Sequence, residues 1–286
     1  MTNSAKPKTD GSRYAQAGVM LALRDIRMVL AEDTGVTAER AAAIRRSVVG
    51  DESSYDFDSA LELIVIAPEV VHEPDSSLST ACRRALRAIV ATTNVSWSAL
   101  VTNGTAVLRD SLRASARNVL QCFEYGHLFD EDDSANAWWD AMEALVRARE
   151  DAIKAESGRQ GEGLSMKHEQ RRLSDEGRAD LEPVWIARRD TYAGYDIESY
   201  DVSTGEVRKI YIECKACKQP PLSFHLSPNE VRMASNRRDS FFIHLWNLAT
   251  EEMTLIRTDD IQEHLPKNNG AGKWQDVRIT WTTRTS

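Results

Sequence analysis

The apolar residues of this chain change their period once, near Glu156-Ser157-Gly158-Arg159, and that change limits what the chain can fold into. Before it they recur every three to four residues; after it they alternate. A period of 3.6 buries one stripe of a helix, and a period of two buries one face of a strand. Residues 14–31 place Val19, Leu23, Ile26 and Leu30 at helical spacing. Residues 37–49 are Ala- and Arg-rich, with Thr37 placed to cap a helix. Helices are also expected over 57–71, 78–92, 107–125 and 135–155, although the run Leu61 to Ile66 would equally suit a buried strand. In the last of these, Trp138, Met142, Leu145, Val146 and Ile153 form one apolar stripe. The acidic run 130–133 before it suits the positive end of a helix dipole.

Beyond the change, one more helix is expected over 161–174. Short alternating runs then follow at 184–187, 195–201, 207–215, 241–248, 253–257 and 277–281, with helical stretches at 228–235 and 260–265. The expected fold class is α+β. A disordered polar leader, 1–13, precedes an all-helical domain, 14–156, and an α/β domain with a mixed central sheet, 157–286. No internal repeat is visible.

The chain is 42% hydrophobic and 28% charged, in the ordinary globular range. No run approaches the ~18–20 apolar residues that a membrane span needs. The polar start lacks the apolar core of a signal peptide. No membrane association is expected, and a cytoplasmic location is. Cys82 and Cys122 are isolated, and the CxxC of Cys214 and Cys217 lies at a strand end without a second ligand pair, so buried thiols are expected rather than a zinc or redox site. Net charge is −8. Residues 158–286 carry 19 Lys and Arg against 20 Asp and Glu, whereas residues 1–157 carry 17 against 24. The acidic excess lies in the helical half and argues against tight non-specific DNA binding. Arg188, Arg189, Arg208, Lys209, Lys215 and Lys218 could still form a local basic face.

Residues 194–215 carry the chemistry. Two alternating runs flank Ser203-Thr204-Gly205-Glu206, which reads as a hairpin turn. With Thr204-Gly205 as a two-residue loop, residues whose numbers sum to 409 face each other. Asp196 then lies opposite Glu213, and Lys215 projects from the same face opposite Gly194. A bulged loop would make the two carboxylates diagonal neighbours instead. Adjacent carboxylates repel, and an oxygen-liganded Mg²⁺ removes that cost. The plainer alternative is an exposed hairpin face with Lys215 neutralising both acids.

The order of several short motifs carries a resemblance. Gly194-Tyr195-Asp196-Ile197, the hairpin, Ile212-Glu213-Cys214-Lys215, Phe224 to Glu230 and the strand Phe241 to Trp246 resemble the protein NO VEIN C-terminal domain family. The segment Gly158 to Ser165, with Glu169, Arg172 and Leu173, is similar to the opening of that domain. The family is a branch of the PD-(D/E)xK nuclease superfamily, related to Mrr-like restriction endonucleases. The resemblance implies that Asp196 and Glu213 ligate Mg²⁺ or Mn²⁺, that the Cys214 carbonyl adds a ligand, and that Lys215 is the catalytic lysine. Cys214 stands where the family commonly has Val. The superfamily often adds a carboxylate from its first helix; Glu162 and Glu169 share one face here, Glu162 being preferred, and either could instead pair with Arg159 or Arg172. Ser227-Pro228-Asn229-Glu230 spells a capping box, which accounts for Glu230 structurally. His225 and His244 read as sheet-face or core histidines.

The expected function is a metal-dependent endonuclease hydrolysing DNA, a component of a restriction or anti-phage defence system acting as a homodimer or with partner proteins. The alternatives are a catalytically silent nuclease-like binding or assembly subunit, and an RNA substrate.

Overall fold

A computed structural model describes residues 10–50, 54–72, 77–190, 192–268 and 271–282. The chain divides into two compact units, Met1–Asp151 and Ala152–Ser286.

The first unit is helical, as its period dictates. Its helices are α1 (Ala17–Glu32), α2 (Ala38–Val49), α3 (Phe57–Ile66), α4 (Leu78–Thr92), α5 (Thr105–Ser115), α6 (Arg117–Tyr125) and the start of α7 (Asp133–Asp175). The ambiguous run Leu61 to Ile66 is helix, started by the Asp56 side chain accepting from Ser59 N. The single helix expected over 107–125 is two, because Ala116 turns out of helical geometry at φ −151°, ψ 61°. Thr37 caps α2 as expected, accepting from Arg40 N. The core gathers Val19, Met20, Leu23 and Ile26 of α1 against Leu86 and Ile89 of α4, with Phe123 stacked on Phe129 and Trp139 and edge-on to Trp97 and Trp138. Buried Asp25 is held by Arg24 at 2.7 Å and Arg45 at 2.6 Å. Of the expected leader, residues 1–9 lie outside the described residues. Gly11–Arg13 form a 3-10 turn, and Gly11 N donates to Asn94 O at 2.8 Å.

The second unit is a mixed α/β structure. The helices expected over 135–155 and 161–174 are one helix, α7: the intervening Glu156 to Gln160 contains only one glycine and no proline, too little to break it. The strands are β1 (Val184–Trp185), β2 (Ile197–Asp201), β3 (Arg208–Cys217), β4 (Ser223–Leu226), β5 (Phe241–Asn247), β6 (Glu252–Arg257) and β7 (Val277–Thr280), with α8 (Pro228–Asn236) after β4. Five strands form a sheet in the order β1-β2-β3-β5-β6, and β4 pairs with β7 apart from it. The β3–β5 pair is parallel and its neighbours are antiparallel, which makes the sheet mixed. The period of two assigns two faces. Ile210, Ile212, Cys214, His244 and Trp246 share one, on which Met166 of α7 packs against the cluster of Ile197, Ile210, Ile212 and Cys214 and Ser165 accepts from Trp246 Nε1 at 2.7 Å. Tyr211, Glu213, Lys215, Ile243 and Leu245 share the other, where Ala234 of α8 joins the core. Among the described residues no helix is long and apolar enough to cross a membrane.

Candidate active site

The β2–β3 register decides the site. Ile197 pairs with Ile212 and Asp201 with Arg208, so facing numbers sum to 409 as expected, although pairing stops before a longer loop, 202–207. Val202 O accepts from Gly205 N at 3.1 Å to make the turn, with Gly205 at φ +82°. Asp196 stands immediately before β2. Its N–H donates to Ile212 O at 2.9 Å, and its carbonyl accepts from Ile186 N at 2.7 Å and Ala187 N at 3.1 Å. Its side chain then takes the place of a sheet acceptor: Oδ2 receives Cys214 N–H at 2.7 Å. A residue's N–H and C=O point to the same side of a strand, so the Cys214 carbonyl also faces the space beyond the start of β2.

Glu213 and Lys215 are on one face of β3, and Lys215 Nζ lies 2.7 Å from Glu213 Oε1. Glu230 arrives from α8. The capping box forms as read, with Ser227 N donating to Glu230 Oε2 at 2.7 Å and Glu230 N donating to Ser227 Oγ at 3.3 Å. The same carboxylate also takes a hydrogen bond from Lys215 Nζ through Oε1, at 3.1 Å. Capping alone therefore does not describe Glu230. The box was legible in the sequence; which way its second oxygen faces depends on how α8 docks on the sheet. Asp196, Glu213 and Glu230 line one cavity of about 210 Å³ together with Gly194, Tyr195 and Asn229.

Gly194 stands opposite Lys215 in the register, but close packing against α8 is what requires it. Its φ is +76°, and an added Cβ would lie 2.6 Å from Met233 Cγ and 3.0 Å from Asn229 Nδ2. What it makes room for is α8, not Lys215. Any side chain there would push this helix from the cavity wall.

The two helix carboxylates part company. Glu162 lies near enough for its charge to raise the Asp196 pKa, but its Oε2 accepts from Trp185 Nε1 at 2.5 Å. Glu169 is not brought into the site. It is buried under the opposite sheet face, bound by Arg172 Nη2 at 2.7 Å and Ser199 Oγ at 2.6 Å. The seven-residue spacing does put both on the inward face of α7, but about 10 Å apart along the axis. The pairing of Glu169 with Arg172 is the one foreseen as its alternative; the Trp185 contact of Glu162 had no sequence signal.

The charges in the site do not balance. Burial, then the negative charges of Glu162 and Glu230, push the Asp196 carboxyl up to about 6, against the pull of Cys214 N–H and Lys215. Burial, with Asp196 and Glu230 adding to it, raises Glu213 well above the carboxylate range despite Lys215. Burial alone would lower Lys215; the charges of Glu213 and Glu230 outweigh it and hold the ammonium charged. Burial likewise works against Glu230, whose carboxyl is nevertheless held below its usual value, chiefly by Lys215. Lys215 thus faces Glu213 and Glu230, with Asp196 and Glu162 adding negative charge nearby.

Among the described residues no group of three or more His, Cys, Asp or Glu side chains is disposed to hold a metal ion. A site made entirely of such side chains is therefore not what the residues offer. Mg²⁺ commonly takes only one or two carboxylates, leaving its other positions to water and substrate phosphate. Asp196 and Glu213, with the Cys214 carbonyl facing the same space, fit that smaller requirement; burial raises both carboxyls, and neighbouring acids add to it.

Cys214 and Cys217 are three apart on β3 and so face opposite ways; both are free thiols, with Cys217 Sγ donating to Ser223 O at 2.6 Å. The expected basic face is largely engaged: Arg208 pairs with Glu206, Lys209 with Glu198, and Arg188 lies 3.7 Å over the Trp185 ring. His244 is core, lowered to about 4 by burial, and exposed His225 faces Asp276.

Residues 161–257 match the family model described as Protein NO VEIN, C-terminal. Over these residues the chain is similar to that family. The match begins in α7 at Gly161, where the helix meets β3, and ends with β6, so it spans Asp196, Glu213, Lys215 and Glu230 alike. No curated protein and no solved structure matches the chain.

Proposed function

We propose that residues 157–286 are a PD-(D/E)xK-type nuclease domain that hydrolyses DNA with Mg²⁺ or Mn²⁺, in a restriction or anti-phage defence system within the cytoplasm. One observation carries the reading: the register that sets Asp196 beside Glu213 with Lys215 Nζ 2.7 Å from Glu213. Asp196 and Glu213 would hold the ion, with the Cys214 carbonyl as a further oxygen; Glu162 is close enough to take part if it leaves Trp185. When bound, the ion supplies Lewis acidity toward the phosphodiester and makes water a stronger nucleophile. Lys215 is the cation paired with Glu213 and Glu230. It donates hydrogen bonds to the attacking water or to the charge that develops on the phosphorus oxygens. Water and the phosphate enter through the cavity bounded by Gly194 and Asn229.

A second reading, a silent nuclease-like binding or assembly subunit, draws support from the acidic net charge and from Lys215 being already paired with two acids. An Asp and a Glu lining one cavity, with a Lys bound to that Glu, favour catalysis. Purified protein incubated with plasmid DNA should cut with Mg²⁺ or Mn²⁺, not with EDTA, and Lys215→Ala should not cut. Absence of cleavage of DNA under either metal, with RNA also intact, would favour the binding subunit.

A further inference from the structure

We infer that Glu230 is a positioning residue, whose carboxylate is fixed by the α8 capping box and holds the Lys215 ammonium at Glu213. What Lys215 then does rests on the nuclease reading; where it is held does not.

A carboxylate has two oxygens, and here each has a separate task. Oε2 is tied to Ser227 N at 2.7 Å, while Ser227 Oγ receives Glu230 N–H at 3.3 Å. The carboxylate cannot turn without breaking the box, so Oε1 is presented to Lys215 Nζ, 3.1 Å away, in a fixed direction. A lysine has a flexible four-carbon stem and no preferred geometry at its head, so acceptors held by the backbone decide where the head rests. Glu213 is the other acceptor, at 2.7 Å, but it is also the proposed ion ligand. Glu230 is instead fixed by the cap, and its carboxylate also meets Glu213.

Burial argues the same way. A capping Glu needs no shelter from water, and a desolvated carboxylate is costly unless paired. The Glu230 side chain is only 19% exposed and that of Lys215 17%. The cap accounts for one oxygen, and Lys215 accounts for the burial of the other.

Glu230→Gln separates the two tasks. Gln suits this capping position, its amide oxygen accepting from Ser227 N. Its NH₂ group then faces the ammonium, donor against donor. We expect melting close to wild type, a severalfold faster acylation of Lys215 read by mass spectrometry in metal-free protein, and a fall in kcat on the order of 10²-fold with KM little changed. Wild-type labelling of Lys215 in a folded Glu230→Gln protein would overturn the inference. Faster labelling alongside a wild type that cuts no nucleic acid would leave the inference standing and remove the nuclease reading. Should Glu230→Gln not fold, Lys215→Met gives the reciprocal test. Loss of the ammonium should lower amide-exchange protection over residues 227–231, and unchanged protection there would overturn the inference.

Discussion

Two buried acids, Glu169 and Glu213, lie against opposite faces of one sheet and have opposite electrostatics. Glu169 is 2% exposed, yet its carboxyl is held below the usual range: burial would raise it, and Arg172 and Ser199 more than offset that. Arg172 in turn is satisfied by Glu176 at 2.9 Å and by the Tyr200 carbonyl. Glu213 is 4% exposed, and burial drives its carboxyl up; Lys215 offsets this only in part, because Asp196 and Glu230 add to it. A buried acid with matched charge anchors a helix to a sheet. One in a cluster with excess negative charge is poised for a cation. Burial alone would not have told them apart.

The largest loss of stability is expected at Glu169. Glu169→Ala leaves Arg172 without its main partner, and loss of one half of a buried pair costs about 3–5 kcal/mol. Urea unfolding should show that loss, with cleavage per folded molecule preserved. A loss below about 1 kcal/mol would place Glu169 among ordinary surface pairs.

On the other face the signs reverse. Asp196→Asn and Glu213→Gln should each lower metal-dependent cleavage on the order of 10²–10³-fold, the scale of losing one electrostatic group at a reacting centre. Both should also raise the melting temperature of metal-free protein at pH 7.5, because each removes a charge from the excess. A lowered melting temperature with cleavage intact would reverse the assignment of the two faces.

The pH dependence sharpens the contrast without mutation. The folded pKa of Asp196 is raised to about 6 from 3.8. Its contribution is therefore fully present below about pH 4 and is lost as pH rises through 6, an effect of about 2–3 kcal/mol. Mg²⁺ should offset the loss, so its stabilising shift in melting temperature should be larger at pH 7.5 than at pH 5. Glu169, being lowered, contributes in the opposite sense: its share is present above the unfolded carboxyl range and lost as pH falls through the folded value. Metal-induced shifts equal at both pH values would mean that Asp196 does not meet the ion.

The smallest expected effect is at Ser227. Ser227→Ala removes the hydroxyl of the capping box and should cost about 0.5–2 kcal/mol in thermal unfolding. No measurable loss would mean that α8 is fixed by Gly194 and its packing alone.

The sequence by itself determined the features that depend on neighbours along the chain. The change of period separated helices from strands. The capping box and the hairpin register follow from a few adjacent residues, and the register is what aligns Asp196 with Glu213. Only the tertiary structure decided the features that depend on which surfaces meet. Period could not show that 135–155 and 161–174 are one helix, because Gly158, Gly161 and Gly163 interrupt the pattern without breaking the backbone. The pairing of β4 with β7 joins residues more than fifty apart, and the β4 run is too short to alternate visibly. Glu162 and Glu169 looked alike on one helical face; their fates diverged because one meets Trp185 and the other Arg172 and Ser199. Glu230 read as a cap because capping is local. Its second oxygen reaches Lys215 only because Gly194, lacking a side chain, lets α8 close onto the sheet.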